Sequence, residues 1–171
     1  MKKFLVLLCC LPIVAYAAPY DYEDEFDGEK PWVELQTQLP AYPKPENLLA
    51  FDIGPTSKHH YSVDALSITV GQDGVVRYSL VVKSSAGAMN VSYEGIRCDT
   101  GERKLYAFGR SDNTWSKARV SKWEALERVA QHYPQRELAR YFFCPERSIV
   151  KTSEEAVKAL KAGIHPRAIS R

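Results

Sequence analysis

Residues 61–83, YSVDALSITVGQDGVVRYSLVVK, decide the fold. Leu66, Ile68 and Val70 fall on one side of an extended chain with Ser67 and Thr69 on the other, and Val76, Tyr78, Leu80 and Val82 alternate with Arg77, Ser79 and Lys83. A period of two marks strands that bury one face. Gln72-Asp73-Gly74 separates the two runs with turn-forming residues, so the pattern predicts an antiparallel hairpin. Forward of it, Ser84 to Ala88 (SSAGA) turns the chain again, and Met89, Val91 and Tyr93 carry the alternation toward Cys98. Thr100 to Arg103 (TGER) then turns into a strand from Leu105 to Gly109, which Ser111 to Thr114 (SDNT) closes. Behind the hairpin, Leu48 to Ile53 (LLAFDI) is the best strand of a stretch in which Pro31, Pro40, Pro43, Pro45 and Pro55 exclude a long helix.

After the strands the period becomes helical. Ser121 with Glu124 three positions on reads as a capping box, followed by Trp123, Leu126, Val129, Ala130 and Tyr133 at helical spacing, with Pro134 ending the helix. A helical turn over Arg136 to Phe142 delivers Cys144. A last helix runs from the Thr152 cap, supported by Glu155, to Gly163. Strands first and helices last make an α+β protein: an antiparallel β-meander of about four to six strands, then two or three C-terminal helices. Residues 31–163 form its single domain and 164–171 a tail.

The N-terminus carries an address. Lys2 and Lys3 precede an apolar run from Phe4 to Val14, and Ala15-Tyr16-Ala17 offers a small-x-small cleavage site, so residues 1–17 read as a signal peptide. That run is too short to span a bilayer, and no later stretch approaches the roughly 18 apolar residues that spanning needs. The expectation is therefore no transmembrane segment and an exported, periplasmic protein, free or associated with the outer membrane. Cys9 and Cys10 leave with the signal; acylation of either is disfavoured because Leu8 precedes Cys9 where a small residue would stand. Cys98 and Cys144 remain, and a lone pair in an oxidising compartment is most simply one disulfide. The competing reading, two free thiols with one a nucleophile, finds no histidine beside either cysteine in sequence.

Charge is balanced in total and uneven in place. The chain has 23 Lys and Arg against 21 Asp and Glu, which falls to 21 against 21 without Lys2 and Lys3. Residues 18–35 hold seven acids and one lysine, whereas residues 97–171 hold sixteen basic and nine acidic residues. Ala18 to Lys30, acidic and without an apolar period, reads as a flexible leader. The basic half can meet an acidic glycan, an anionic lipid or nucleic acid, or be solvated surface that balances the acidic start. Export argues for no nucleic acid.

The segment VVRYSLVVKSSAGAMNVSYEGIRC (75–98), followed by LYAFG (105–109), Trp115, Trp123 and the cysteine of YFFCP (141–145), resembles the cryptic-neisserial-protein-like family of exported bacterial proteins. The resemblance runs from about Trp32 to Pro145. It implies a domain of unknown function behind a signal peptide and names no catalytic or binding residue. The turn Ser85-Ala86-Gly87-Ala88 is also similar, over a handful of residues, to the serine-glycine loops of small periplasmic lysozyme inhibitors.

Weighed residue by residue, the chain predicts no metal, no cofactor and no catalytic set. His59-His60 would point to opposite faces of a strand and have no third ligand at recognisable spacing. His132 is expected near a helix C-terminus, and His165 exposed in the tail. Ser84 and Ser85 are turn residues outside any nucleophile motif. Gly87 and Gly95 mark tight geometry without a phosphate loop. Trp115 and Trp123 with Tyr106 and Tyr141 suit a sugar-stacking platform or, more commonly, packing of helix on sheet. Two functions stay open. One is a non-enzymatic binding module for an envelope protein or anionic glycan, with Arg110, Trp115, Lys117, Arg119 and Trp123 as the candidate face. The other is an envelope-polymer hydrolase using a carboxylate pair, for which Asp64 and Glu94 are the candidates.

Overall fold

The computed structural model describes residues 31–55, 57–127 and 132–169. Residues 1–30, where the sequence predicts a signal peptide and an acidic leader, and the last two residues lie outside them. Among the described residues eight strands form one antiparallel sheet: β1 (Leu48–Phe51), β2 (His60–Asp64), β3 (Thr69–Val70), β4 (Val75–Lys83), β5 (Met89–Arg97), β6 (Glu102–Gly109), β7 (Trp115–Lys117) and β8 (Glu124–Ala125). Their order is β1-β2-β4-β5-β6-β7, with β3 beside β4 and β8 beside β6. The α+β class and meander hold. Two helices follow, α1 (Tyr133–Leu138) and α2 (Ser153–Ala162), and α1 runs on into a π turn over Ala139–Phe143.

The predicted hairpin forms, but its first arm is broken. A 3-10 turn at Ala65–Ser67 interrupts it, leaving Leu66 78% exposed and burying Ser67. The reason is a hydrogen-bond vacancy in the ladder: the Ser67 hydroxyl accepts from the Ser79 amide at 2.8 Å and donates to the Asp64 carbonyl at 2.7 Å, pairing groups that a continuous strand would have paired. β4 differs as well. Val75 through Val81 are all buried, Arg77 and Ser79 included, so both faces of this strand are covered.

The inner face carries the core. Val63, Val76, Tyr78, Leu80 and Ile96 meet Leu138, Phe142, Phe143, Val150 and Leu160, with the Tyr78 and Phe143 rings 5.2 Å apart. Cys98 and Cys144 are joined as a disulfide, which ties the end of β5 to the end of the π turn. Thr152 caps α2 by accepting from the Glu155 amide at 3.2 Å, and Gly163 ends it with φ 80°, as the sequence predicts. α2 packs against β1 and the π turn.

The helix expected from Ser121 is not there. Ser121 donates its hydroxyl to the Leu105 carbonyl at 2.6 Å, Glu124 and Ala125 pair with Arg103 and Glu102, and the Leu126 amide bonds Gly101. Pairing with open backbone groups of β6 overrides the local capping signal. Val129 and Ala130 lie outside the described residues. Pro134 opens α1 instead of ending a helix, because the first turn has no use for its missing amide.

An extended strap, residues 32–43, crosses the outer face. Arg77 bonds Thr37 Oγ1 at 2.9 Å and the Leu35 carbonyl at 3.3 Å, while Asp73 accepts from the Leu35 amide at 2.9 Å. The Trp32 indole donates to the Asp73 carbonyl and lies under the Arg97 guanidinium, 4.0 Å from its ring centre. Glu34 accepts from Lys104 at 2.6 Å and from the Tyr106 hydroxyl at 2.8 Å. Tyr106 reaches the strap because the β5–β6 register slips between Tyr93 and Glu94, leaving Tyr106 opposite no partner. Gly95 makes room for it: a Cβ there would lie 2.7 Å from the Tyr106 hydroxyl and 3.0 Å from Val75. Gly95→Ala should therefore cost about 1–3 kcal/mol by crowding, read in a urea melt as a lowered midpoint at constant slope. An unchanged midpoint would show that Tyr106 can lift away freely.

Candidate functional site

The helices leave part of the inner sheet face uncovered. Beyond Pro134 and Gln135, the inner sides of β4, β5 and β6 open into a cleft of about 390 Å³. Alternation places Leu80 and Val82 of β4 on this face, opposite Ser92 and Asn90 of β5, with Leu105 and Phe108 of β6 opposite Glu94 and Ser92. Phe108 and Met89, at the rim, are 51% and 61% exposed. The walls are thus mixed, with Leu80, Val82, Leu105 and Phe108 beside Asn90, Ser92, Arg103 and Gln135.

The floor is polar and built. Glu94 is 3% exposed, and its carboxylate accepts from Ser92 Oγ at 2.7 Å and from Gln135 Nε2 at 2.9 and 3.2 Å. The Tyr78 hydroxyl donates to it at 3.4 Å, and Arg103 stands 4.0 Å away. Burial, then the Glu94 charge, pushes the Tyr78 phenol well above its ordinary range, so it stays a donor. Both carboxylate oxygens are occupied, and through Gln135 the Glu94 side chain holds α1 to β5. A concave surface in which apolar side chains flank a few convergent polar groups can take a small amphipathic ligand.

His132 lies beside this cluster, buried, with Nε2 3.6 Å from Glu124. It stands at the start of α1, not near a helix C-terminus, and burial with the Arg103 charge lowers its pKa. Its neutral form is the native one, so its contribution to stability is present above about pH 6.5 and lost as pH falls through the lower native value. His132→Gln should flatten the thermal midpoint between neutral and mildly acid pH; an unchanged profile would contradict the assignment.

Asp64 and Glu94 do not meet. Val63 pairs with Leu80 and Glu94 with Tyr78, so Glu94 faces the cleft and Asp64, next to Val63, faces the opposite side. Burial raises the Asp64 carboxyl, an effect that the neighbouring Leu66 and Ser67 amides only partly offset.

The tryptophans of the candidate face are engaged by the strap. Trp115 donates to the Pro40 carbonyl at 2.9 Å and packs on Tyr42, while Trp123 donates to Glu34 at 3.3 Å and meets the edge of Trp32. Arg110, Lys117 and Arg119 are exposed, and Arg110 bonds Ser116 Oγ. These five residues form no open stacking platform. His59 and His60 are exposed, and among the described residues no group of three or more His, Cys, Asp or Glu could hold a metal ion. Ser84 is turn chemistry, accepting from the Ala88 amide at 3.1 Å. His165 is buried, contrary to expectation: the tail folds back, its amide bonds Tyr141, and Nε2 donates to Glu155 at 2.9 Å while Nδ1 accepts from the Arg167 amide.

Sequence reasoning missed Gln135 and Arg103 at the cleft and Glu34, Asp73 and Arg77 under the strap. Its one usable signal was VVRYSLVV itself, apolar on both faces, which asks for cover on both sides.

The molecule is a disulfide-linked α+β protein whose sheet is covered by helices on one face and a strap on the other, with a cleft at the margin of the helix layer. It belongs to the CNP1-like family, whose model matches residues 27–161. No curated protein and no solved structure matches it.

Proposed function

We propose that the protein is an exported envelope module that acts by binding, and that the cleft takes a small amphipathic ligand with its apolar part on Leu80, Val82 and Leu105 and its polar end toward Arg103 and Glu94. The observation that carries this reading is the buried, hydrogen-bonded Glu94–Gln135 pair under an open cleft of about 390 Å³ whose walls mix apolar and polar side chains. Preformed polar groups orient a ligand without the cost of ordering them on binding. The signal-like residues 1–17 and the disulfide support the exported setting. The hydrolase reading is weakened by geometry, since its two carboxylates face opposite sides of the sheet.

Leu105→Glu, at a half-buried wall position, tests it. Anilinonaphthalene sulfonate should brighten with the wild-type protein and lose most of that emission with the variant, at similar thermal midpoints. Mass spectrometry of small molecules retained from envelope extract should show a species bound by the wild type and released by Leu105→Glu. Equal retention by both would remove the cleft from the account, and turnover of peptidoglycan or ester substrates would overturn the binding reading.

A further inference from the structure

A second concavity, of about 990 Å³, runs along another side of α1, where β5, the π turn and the residues after Cys144 meet. Arg97, Arg136, Arg140, Arg147 and Arg167 line it. Arg97 is paired with Asp99 at 2.8 Å and Arg167 with Glu155 at 3.3 Å. Arg136, Arg140 and Arg147 take part in no ion pair among the described residues. Arg136 and Arg140 are one helical turn apart, and their guanidinium groups lie 5.1 and 5.2 Å from the ring centres of Tyr133 and Tyr141, which line the same groove. This is a stronger basic surface than the exposed Arg110, Lys117 and Arg119, because it is concave and backed by rings. Charge within a low-dielectric concavity is focused rather than dispersed.

Two backbone departures stand in the same wall. The Cys144 amide bonds the Ala139 carbonyl, five residues back, at 2.8 Å, and Glu146 and Arg147 both have positive φ, at 55° and 63°. Non-glycine residues in that region and π turns are both enriched where structure serves a site. The disulfide holds this wall to β5.

We propose that the groove binds an acidic oligosaccharide, with Arg136, Arg140 and Arg147 holding its carboxylates. The mixture of side chains chooses among anions. Glu127 and Glu137 share the walls, so the groove presents acceptors between its donors. A polyphosphate offers acceptors alone and would be repelled at those positions, whereas a uronate chain carries hydroxyl donors between its carboxylates. The tyrosine rings suit the C–H faces of sugars. This site is independent of the cleft.

The test is fluorescence anisotropy of a labelled oligogalacturonate with the full chain. Binding should weaken as salt rises and fall by about tenfold or more in Arg136→Gln/Arg140→Gln/Arg147→Gln, since that variant removes the guanidinium groups that hold the carboxylates. Arg110→Ala/Lys117→Ala/Arg119→Ala and Leu105→Glu should bind as the wild type does, which separates this site from the sheet edge and from the cleft. Thermal midpoints of all variants report folding. Absence of binding by the wild type, equal weakening by the sheet-edge variant, or binding confined to tripolyphosphate or to phosphatidylglycerol vesicles would each overturn the proposal.

Discussion

Replacing Cys98 and Cys144 together by alanine is expected to destabilise the protein by about 4 kcal/mol. The bond links residues 46 apart, and the chain-entropy account assigns about that much to a loop of this length. For a domain of this size the thermal midpoint should fall by roughly 10 °C. Unfolding should stay cooperative, because Phe142 and Phe143 still anchor the π turn in the core. Both sulfurs belong to buried residues, 5% and 8% exposed, so without denaturant a mild reductant should open the bond slowly. The measurements are a urea melt of the double variant and alkylation of protein purified under oxidising conditions. A shift below about 1 kcal/mol would mean that the unlinked chain is already restrained by its own residual structure. The same variant should weaken oligogalacturonate binding, because the bond fixes one wall of the arginine groove to the other.

How far these features can be read from the chain depends on whether local pattern and tertiary need agree. β4, β5 and β6 were legible because alternation and turn residues point the same way, and α2 because its cap and its terminal glycine bracket one apolar stripe. The stretch around Ser121 misleads: its capping pattern is genuine, but residues 121–126 sit beside an open edge of β6, and strand pairing outweighs a cap worth about 1 kcal/mol. The strap was invisible for another reason. Residues 32–43 have no period, since an extended segment lying across a sheet is held by single side chains at irregular intervals, here Trp32, Glu34, Thr37 and Tyr42. The cleft depends on where α1 begins, since Pro134 and Gln135 of its first turn line it. The Asp64–Glu94 idea failed on parity: two residues on different strands share a face or not according to register, which one sequence does not contain.

Asp73→Ala should be the most damaging single substitution on the strap side, costing about 3–5 kcal/mol, because it leaves the buried Arg77 charge without its close partner. Asp73 and Arg77 have side chains 1% and 6% exposed and meet at 2.5 Å, whereas Glu34 stands 4.0 Å from the same guanidinium. Asp73 also accepts from the Leu35 amide, so its loss frees the strap at its middle. Burial alone would raise the Asp73 carboxyl, but the Arg77 hydrogen bond, the Leu35 amide and the Arg77 charge hold it below the usual value. A carboxyl lowered in the native state contributes stability that is fully present above its unfolded pKa, near 3.8, and lost as pH falls through the native value. Wild-type stability should therefore drop in that acid range, and Asp73→Ala, destabilised already at neutral pH, should lose less there. Asp73→Ala/Arg77→Met removes both charges and is expected to recover part of the loss, although the Thr37 and Leu35 contacts of Arg77 go with it. Equal or additive damage in the double variant would mean that the arginine serves the strap through its hydrogen bonds alone, and that the buried charge itself carries little of the cost.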